Sequence, residues 1–129
     1  MSDHKQVVVN RVNEVSNVLL ALSHKIHANP ETAWQEFESS AAVARTLSDH
    51  GFDVVEQVAG LPTAFRAEFG TGDLTVALCA EYDALPGLGH ACGHNIIASS
   101  SAGAAIALAA VANELNLKVV VLGTPAEEG

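Results

Sequence analysis

LTVALCA (Leu74–Ala80), EYDALPGLGHACGHN (Glu81–Asn95), an apolar block running from Ile96 to about Leu115, and KVVVL (Lys118–Leu122) follow one another along the chain. The order is strand, loop, long helix, strand. That is the crossover unit, which sets two strands parallel and neighbouring in one sheet and fixes the fold class as α/β. It also makes a geometric demand. The loop from Glu81 leaves the C-terminal end of the first strand, and Thr124–Gly129 leaves the C-terminal end of the second. Parallel strands bring both segments to one sheet edge, where open α/β sheets bind ligands. Glu127 and Glu128 are therefore expected near Cys92 and His94, more than thirty residues away.

Outward from this unit, Gly70-Thr71-Gly72-Asp73 is a turn cluster between Leu74–Ala80 and a strand at Ala64–Phe69. In that strand Phe65, Ala67 and Phe69 alternate with Arg66 and Glu68. The two strands read as a hairpin, and Leu74–Ala80, an unbroken apolar run, reads as covered on both faces. Phe52–Val58 is a further strand. Val8, Val12, Val15, Leu19, Leu22 and Ile26 form one stripe of an amphipathic helix, which ends before Asn29-Pro30. A second helix is expected just after Pro30, with Trp34, Phe37, Ala41 and Ala44 on one face and Gly51 past its end. Ser99–Ala105 is a surface of small residues suited to close helix packing.

The composition excludes several classes of function. With 129 residues, 49% of them apolar, one packed domain is expected. A net charge of −9 disfavours nucleic acid and anionic membranes but welcomes cations. The N-terminus lacks signal-peptide organisation, and the apolar block after Ile96 is broken by serines, so the expectation is a cytoplasmic protein with a buried helix there. Two cysteines, Cys79 and Cys92, make no disulfide framework. Cys79, inside an apolar strand, reads as a core residue.

Cys92-Gly93-His94 sets a thiol and an imidazole two residues apart in a glycine-flanked loop, a pair that transition metals favour. The plain alternative is a surface loop with an idle cysteine. Glu127-Glu128 could be a solvated acidic turn; at the sheet edge one could bind metal while the other handles a proton. Glu81 and Asp83 are placed to orient a metal-binding histidine. His24, His27 and His50 suit helix C-termini. Gly87, Gly89 and Gly93 do not form a dinucleotide fingerprint. Two rival functions remain at this point. One is a cysteine hydrolase using Cys92 as nucleophile with His90 or His94 as base, and the other is a non-enzymatic interaction fragment.

Three segments carry a resemblance: His27-Ala28-Asn29-Pro30-Glu31, Glu81 through Asn95, and Gly123-Thr124-Pro125-Ala126-Glu127-Glu128-Gly129. Together they resemble the aminoacylase- and carboxypeptidase-type dinuclear metallopeptidases. The match is to their amidohydrolase branch, with hippurate hydrolase, auxin-conjugate hydrolases, p-aminobenzoyl-glutamate hydrolase and β-alanyl-lysine dipeptidases. The resemblance implies a zinc-exopeptidase-like mixed sheet with flanking helices. It implies Cys92, His94 and Glu128 as metal ligands, Glu127 as general base and acid, and Asp83 as the carboxylate supporting the site, with Glu81, His90 and Asn95 around them. It further implies two divalent ions, zinc or manganese, and hydrolysis of the amide of N-acyl amino acids or dipeptides. Residues 1–129 would match the N-terminal portion of such a catalytic domain. The family's dimerisation and lid domain and its C-terminal catalytic segment, with further histidine ligands, lie outside them. The corollaries are weak or partial metal occupancy, little activity of these residues alone, a homodimer for the whole enzyme, and self-association through exposed apolar surface.

Overall fold

The computed structural model describes residues 3–129. Its elements are α1 (Asp3–Ala28), α2 (Phe37–Asp49), β1 (Asp53–Glu56), a single 3-10 turn, β2 (Phe65–Phe69), β3 (Leu74–Glu81), α3 (His94–Ala112) and β4 (Leu117–Thr124). The strands form one mixed sheet in the order β1-β2-β4-β3. β1 and β2 pair antiparallel, as do β2 and β4, while β3 and β4 are parallel. The crossover read from the sequence is present.

The hairpin is not. β2 pairs with β4, because β4 returns from the α3 crossover into the place beside β3 and separates the two strands. β3 is thereby left at the sheet edge. Its residues alternate: Val76, Leu78 and Ala80 turn toward the helices while Thr75, Ala77 and Cys79 are exposed. β3 is thus not covered on both faces, and Cys79 is an exposed thiol rather than a core residue. An apolar run reports hydrophobicity, not its neighbours. The strand buried along most of its length is β4, which has a partner on each side and fully buried Val119, Val120 and Val121.

The core lies between the sheet and the helices. Val119 and Val121 of β4 and Phe65 and Ala67 of β2 join Leu22 and Ile26 of α1, Val43 and Leu47 of α2, and Ala102 and Ile106 of α3. Two glycines allow close approaches within this core. A Cβ on Gly103 of α3 would lie 2.5 Å from Leu19 Cδ1, and one on Gly123 of β4 would lie 2.2 Å from the Phe65 ring. Ser99 Oγ also donates to the Leu19 carbonyl at 2.7 Å, so the small-residue surface of α3 is where α1 docks. α3 has the length and apolarity of a membrane-crossing helix, yet more than half of it is buried within the molecule. The opposite face of the sheet carries the ion pairs of Glu68 with Arg66 and Lys118.

Two helix expectations need correction. The α1 stripe meets the core at Val15, Leu22 and Ile26, whereas Val12 is exposed, because it lines an open groove between α1 and α3. α2 begins at Phe37, not just after Pro30. The intervening segment takes a turn with Trp34 at φ 68° and half exposed, and Thr32 forms a parallel bridge to Ala84. The Glu31 carboxylate accepts the Glu38 and Ser39 N–H groups at 3.0 and 2.7 Å, satisfying donors that open α2.

Candidate metal centre

The register pairs Glu81 with Thr124 at the ends of β3 and β4, so the two loops that follow leave the sheet side by side. From the first come Glu81, Asp83 and, where α3 opens, His94. Gly93 precedes His94 in the left-handed conformation, φ 76°, which lets the loop turn sharply into the helix. From the second come Glu127 and Glu128.

His94 is the hub, and it is 3% exposed. Its Nδ1 lies 2.8 Å from the Asp83 carbonyl oxygen and 3.0 Å from Asp83 Oδ1. A carbonyl oxygen can only accept, so Nδ1 carries the proton. The Nε2 lone pair is thereby directed to the other side in the neutral ring. There it faces Glu81 Oε2 at 3.3 Å, Glu127 Oε2 at 3.6 Å and Glu128 Oε1 at 3.8 Å. Donor atoms of Glu81, His94 and Glu127 all lie within 4.8 Å of one another.

Asp83 has a second task. It is buried, and its Oδ2 accepts the Glu128 N–H at 3.0 Å while Oδ1 holds the imidazole. One carboxylate thus fastens both loops. Cys92 is exposed, and the pull of the neighbouring Glu128 carboxylate on its thiol proton, followed by partial desolvation and the charges of Glu128, Glu127 and Asp83, holds its pKa above the ordinary thiol value. This setting suppresses the thiolate in the absence of a cation, the opposite of what a cysteine nucleophile needs. Glu127 is also pushed above the usual carboxylate range, first by the Glu128 charge, then by partial burial and the Glu81 charge.

The remaining candidates lie around this cluster. His90 has both ring nitrogens buried without a well-formed hydrogen bond, the Ile26 carbonyl offering at most a weak one, and its ring lies 6.4 Å from that of His27. Burial, then the nearby His27 and His94, lower its pKa. Asn95 turns away: its amide donates to Ser23 Oγ at 3.0 Å and ties α3 to α1. Sequence reasoning missed Glu36. Its carboxylate is fully buried beneath the second loop, where Oε2 accepts the Ala126 N–H at 2.6 Å and Oε1 accepts the Thr63 hydroxyl at 3.2 Å. Tyr82, also fully buried, donates to the Thr63 carbonyl and stacks on Phe65 at 6.3 Å.

The donor set suits a divalent cation. Four carboxylates, Glu81, Asp83, Glu127 and Glu128, converge on one imidazole, with a thiol alongside. Among the described residues no lysine or arginine ion pair neutralises them. Mixed oxygen, nitrogen and sulfur donors of this kind hold zinc and its neighbours.

No family model matches the chain. Individual relatives do. It is 42% identical to the Xaa-Arg dipeptidase of Mus musculus, over 96% of this chain and 32% of the relative. It is 35% identical to a component of the p-aminobenzoyl-glutamate hydrolase of Escherichia coli (strain K12), over 84% of this chain and 26% of the relative. Among solved structures it resembles a dinuclear metal binding peptidase of the M20 family from Bacillus subtilis. That match has a TM-score of 0.72 and 27% identity, over 90% of this chain and 36% of the other. The chain spans about a third of the length of the relatives it matches. In sequence and in fold, then, it is a partial-length relative of the M20 dinuclear metallopeptidases and amidohydrolases.

Proposed function

We propose that the cluster around His94 is part of a divalent-metal centre, and that residues 1–129 form the N-terminal portion of a metallopeptidase catalytic domain. The whole protein would hydrolyse the amide bond of N-acyl amino acids or dipeptides. The observation that carries the reading is the His94 imidazole, pinned by Asp83 at Nδ1 and open at Nε2 to three carboxylates. The names of the relatives, a dipeptidase and an aminobenzoyl-glutamate hydrolase, favour a small substrate with an amide bond.

Cys92, His94 and Glu128 would hold the metal, and Glu81 offers a further oxygen close to Nε2. Bound divalent ions, zinc or manganese, supply Lewis acidity that polarises a carbonyl and makes water acidic near neutral pH. The chain's own residues do the rest. Glu127, exposed and with a raised pKa, takes a proton from water and delivers it to the leaving amine nitrogen. Asp83 keeps His94 in the tautomer that leaves Nε2 unprotonated and holds the Glu128 backbone in place. Cys92 would give up its proton to join the centre, where the cation's charge would offset the repulsion between its thiolate and Glu128.

A cytoplasmic location, a homodimer of the whole enzyme and weak metal occupancy in these residues alone complete the proposal. Apolar side chains exposed between α1 and α3, among them Val12, Leu20 and Ile96, favour self-association. The direct test is zinc and manganese titration of the wild-type chain beside His94→Ala and Cys92→Ser. Binding by the wild type that is lost in H94A and weakened in C92S is expected. A wild type that takes up neither ion, or an H94A variant that binds as well, refutes the metal centre.

A further inference from the structure

The turn that presents Glu127 and Glu128 is short, yet two buried carboxylates from distant parts of the chain reach it. Asp83 accepts the Glu128 N–H, as described above. Glu36, at the start of α2, accepts the Ala126 N–H at 2.6 Å. Glu36 is 0% exposed, and its second oxygen is occupied by the Thr63 hydroxyl. A carboxylate that deep is costly unless its oxygens are well satisfied, and a hydrophobic residue at the mouth of α2 would pack there at less cost. Ala126 itself is unusual. It is a non-glycine residue at φ 56°, and its carbonyl accepts the Gly129 N–H to close the turn. Such a conformation persists when the surroundings impose it.

We infer that Glu36 is a positioning residue: by gripping the Ala126 N–H it holds the left-handed turn that aims Glu127 and Glu128 at His94. The inference rests on the metal-centre reading for its functional meaning, but the grip is a property of the fold alone. The support is built in layers. Thr63, in the segment between β1 and β2, donates its hydroxyl to Glu36, and its carbonyl in turn accepts the Tyr82 hydroxyl. Tyr82 lies between Glu81 and Asp83. The network therefore links the loop after β3 to the loop after β4, as Asp83 does by a separate route. Neither Glu36 nor Thr63 touches His94 or the converging carboxylate oxygens, so Glu36 acts on the site only through the backbone it holds.

The experiment compares Glu36→Ala, Glu36→Gln and a control, Val43→Ala, in the 129-residue chain. Val43 is fully buried on α2, so V43A lowers stability without touching the turn. Two readouts are taken under conditions where every variant is folded: amide hydrogen exchange at Ala126 and Glu128 without metal, and zinc affinity. In E36A both amides are expected to exchange about tenfold faster or more, relative to the change in global stability, and zinc affinity to fall about 10-fold or more. V43A leaves both unchanged after the same correction. E36Q, whose amide oxygen can still accept the Ala126 N–H, recovers most of the protection and affinity. If E36A does not unfold cooperatively, Glu36→Asp replaces it, keeping the charge on a side chain one methylene too short to reach.

An E36A variant that follows V43A in both readouts overturns the inference and reduces Glu36 to a structural residue. So does an E36Q variant no better than E36A. A wild type that binds no zinc refutes the metal centre instead, and exchange at Ala126 and Glu128 then decides the role of Glu36 by itself.

Discussion

Replacing Asp83 by asparagine changes one atom and sets a problem that the site cannot solve. Both wild-type carboxylate oxygens accept: Oδ1 from His94 Nδ1–H and Oδ2 from Glu128 N–H, each at 3.0 Å. An amide offers one accepting oxygen and one donating NH2. With the oxygen toward His94, the NH2 confronts the Glu128 N–H. With the oxygen toward Glu128, the NH2 confronts an imidazole N–H that the Asp83 carbonyl still holds at 2.8 Å. The ring could escape by moving its proton to Nε2, but that proton would then occupy the lone pair the three glutamates surround. Each solution costs either the loop or the metal donor.

The magnitude follows from the bonds involved. Hydrogen bonds to a charged group contribute about 1.5–3 kcal/mol each and neutral ones about 0.5–1.5, so trading two of the first for one of the second loses roughly 1.5–5.5 kcal/mol. Asp83 is 1% exposed, so water does not make good the loss. In metal affinity the expectation is a fall of about 10- to 100-fold, the range typical of groups that orient ligating histidines. Zinc competition against a fluorescent chelator measures the affinity. Nitrogen-15 spectra of the His94 ring report the tautomer, and denaturant unfolding of the metal-free chain reports stability. Were D83N to bind zinc within about twofold of wild type, with Nδ1 still protonated, Asp83 would not be orienting the site in this way.

Three other outcomes are expected. Tyr82 is the single tyrosine, and burial, followed by the charges of Glu36 and Asp83, raises its pKa above the ordinary 10.0. A raised folded-state pKa gives stability that is complete below the unfolded value and lost as pH climbs past it. Phenolate absorbance should therefore appear only as the chain unfolds in alkali, with stability falling by up to about 1.4 kcal/mol per pH unit; a simple titration near pH 10 in the folded chain contradicts this. The Glu127 pKa is raised as well, mainly by the Glu128 charge, so its contribution is complete below the ordinary 4.5 and lost above it. Metal-free Glu127→Gln should accordingly melt above wild type at neutral pH, the gap closing as the solution is acidified through that value. An unchanged gap at low pH would point to packing instead of charge. Finally, Gly123→Ala drives a Cβ to 2.2 Å from a buried ring and should cost roughly 3 kcal/mol of unfolding free energy, read by denaturant unfolding. A loss under about 1 kcal/mol would mean that Phe65 moves aside freely.

Legibility varied with the kind of information each feature needs. The β3–α3–β4 crossover was readable because long apolar runs and a turn-rich loop leave few other topologies, and its register then placed the loop after Glu81 beside the loop after Thr124. His94, Asp83, Glu127 and Glu128 were legible for that reason. The mistaken hairpin and the exposed Cys79 share one cause: adjacency in sequence suggested a β2–β3 pair, while the returning β4 took the inner position and pushed β3 to the edge. The late start of α2 has a chemical cause. Helix periodicity through Trp34 could not reveal that Glu31 would cap the Glu38 and Ser39 amides and hold the preceding residues in a turn.

Glu36 was illegible for a deeper reason. A metal-ligand motif is a relation among side chains, and side chains are what a sequence spells out. Glu36 instead serves a backbone N–H, at Ala126, ninety residues away, and every residue except proline has such a donor. Nothing in a Gln-Glu-Phe triplet at the mouth of a helix separates a solvated first-turn glutamate, the ordinary reading, from one turned inward. What separates them is the network around it: Thr63, between β1 and β2, donates its hydroxyl to Glu36, and Tyr82, just past β3, donates to the Thr63 carbonyl, so both positions depend on how the sheet is assembled. The side chains that can meet a metal were thus visible in the sequence as residue types. The groups that fix their direction appeared only once the chain was folded, since their partners are amides and carbonyls that carry no letter of their own.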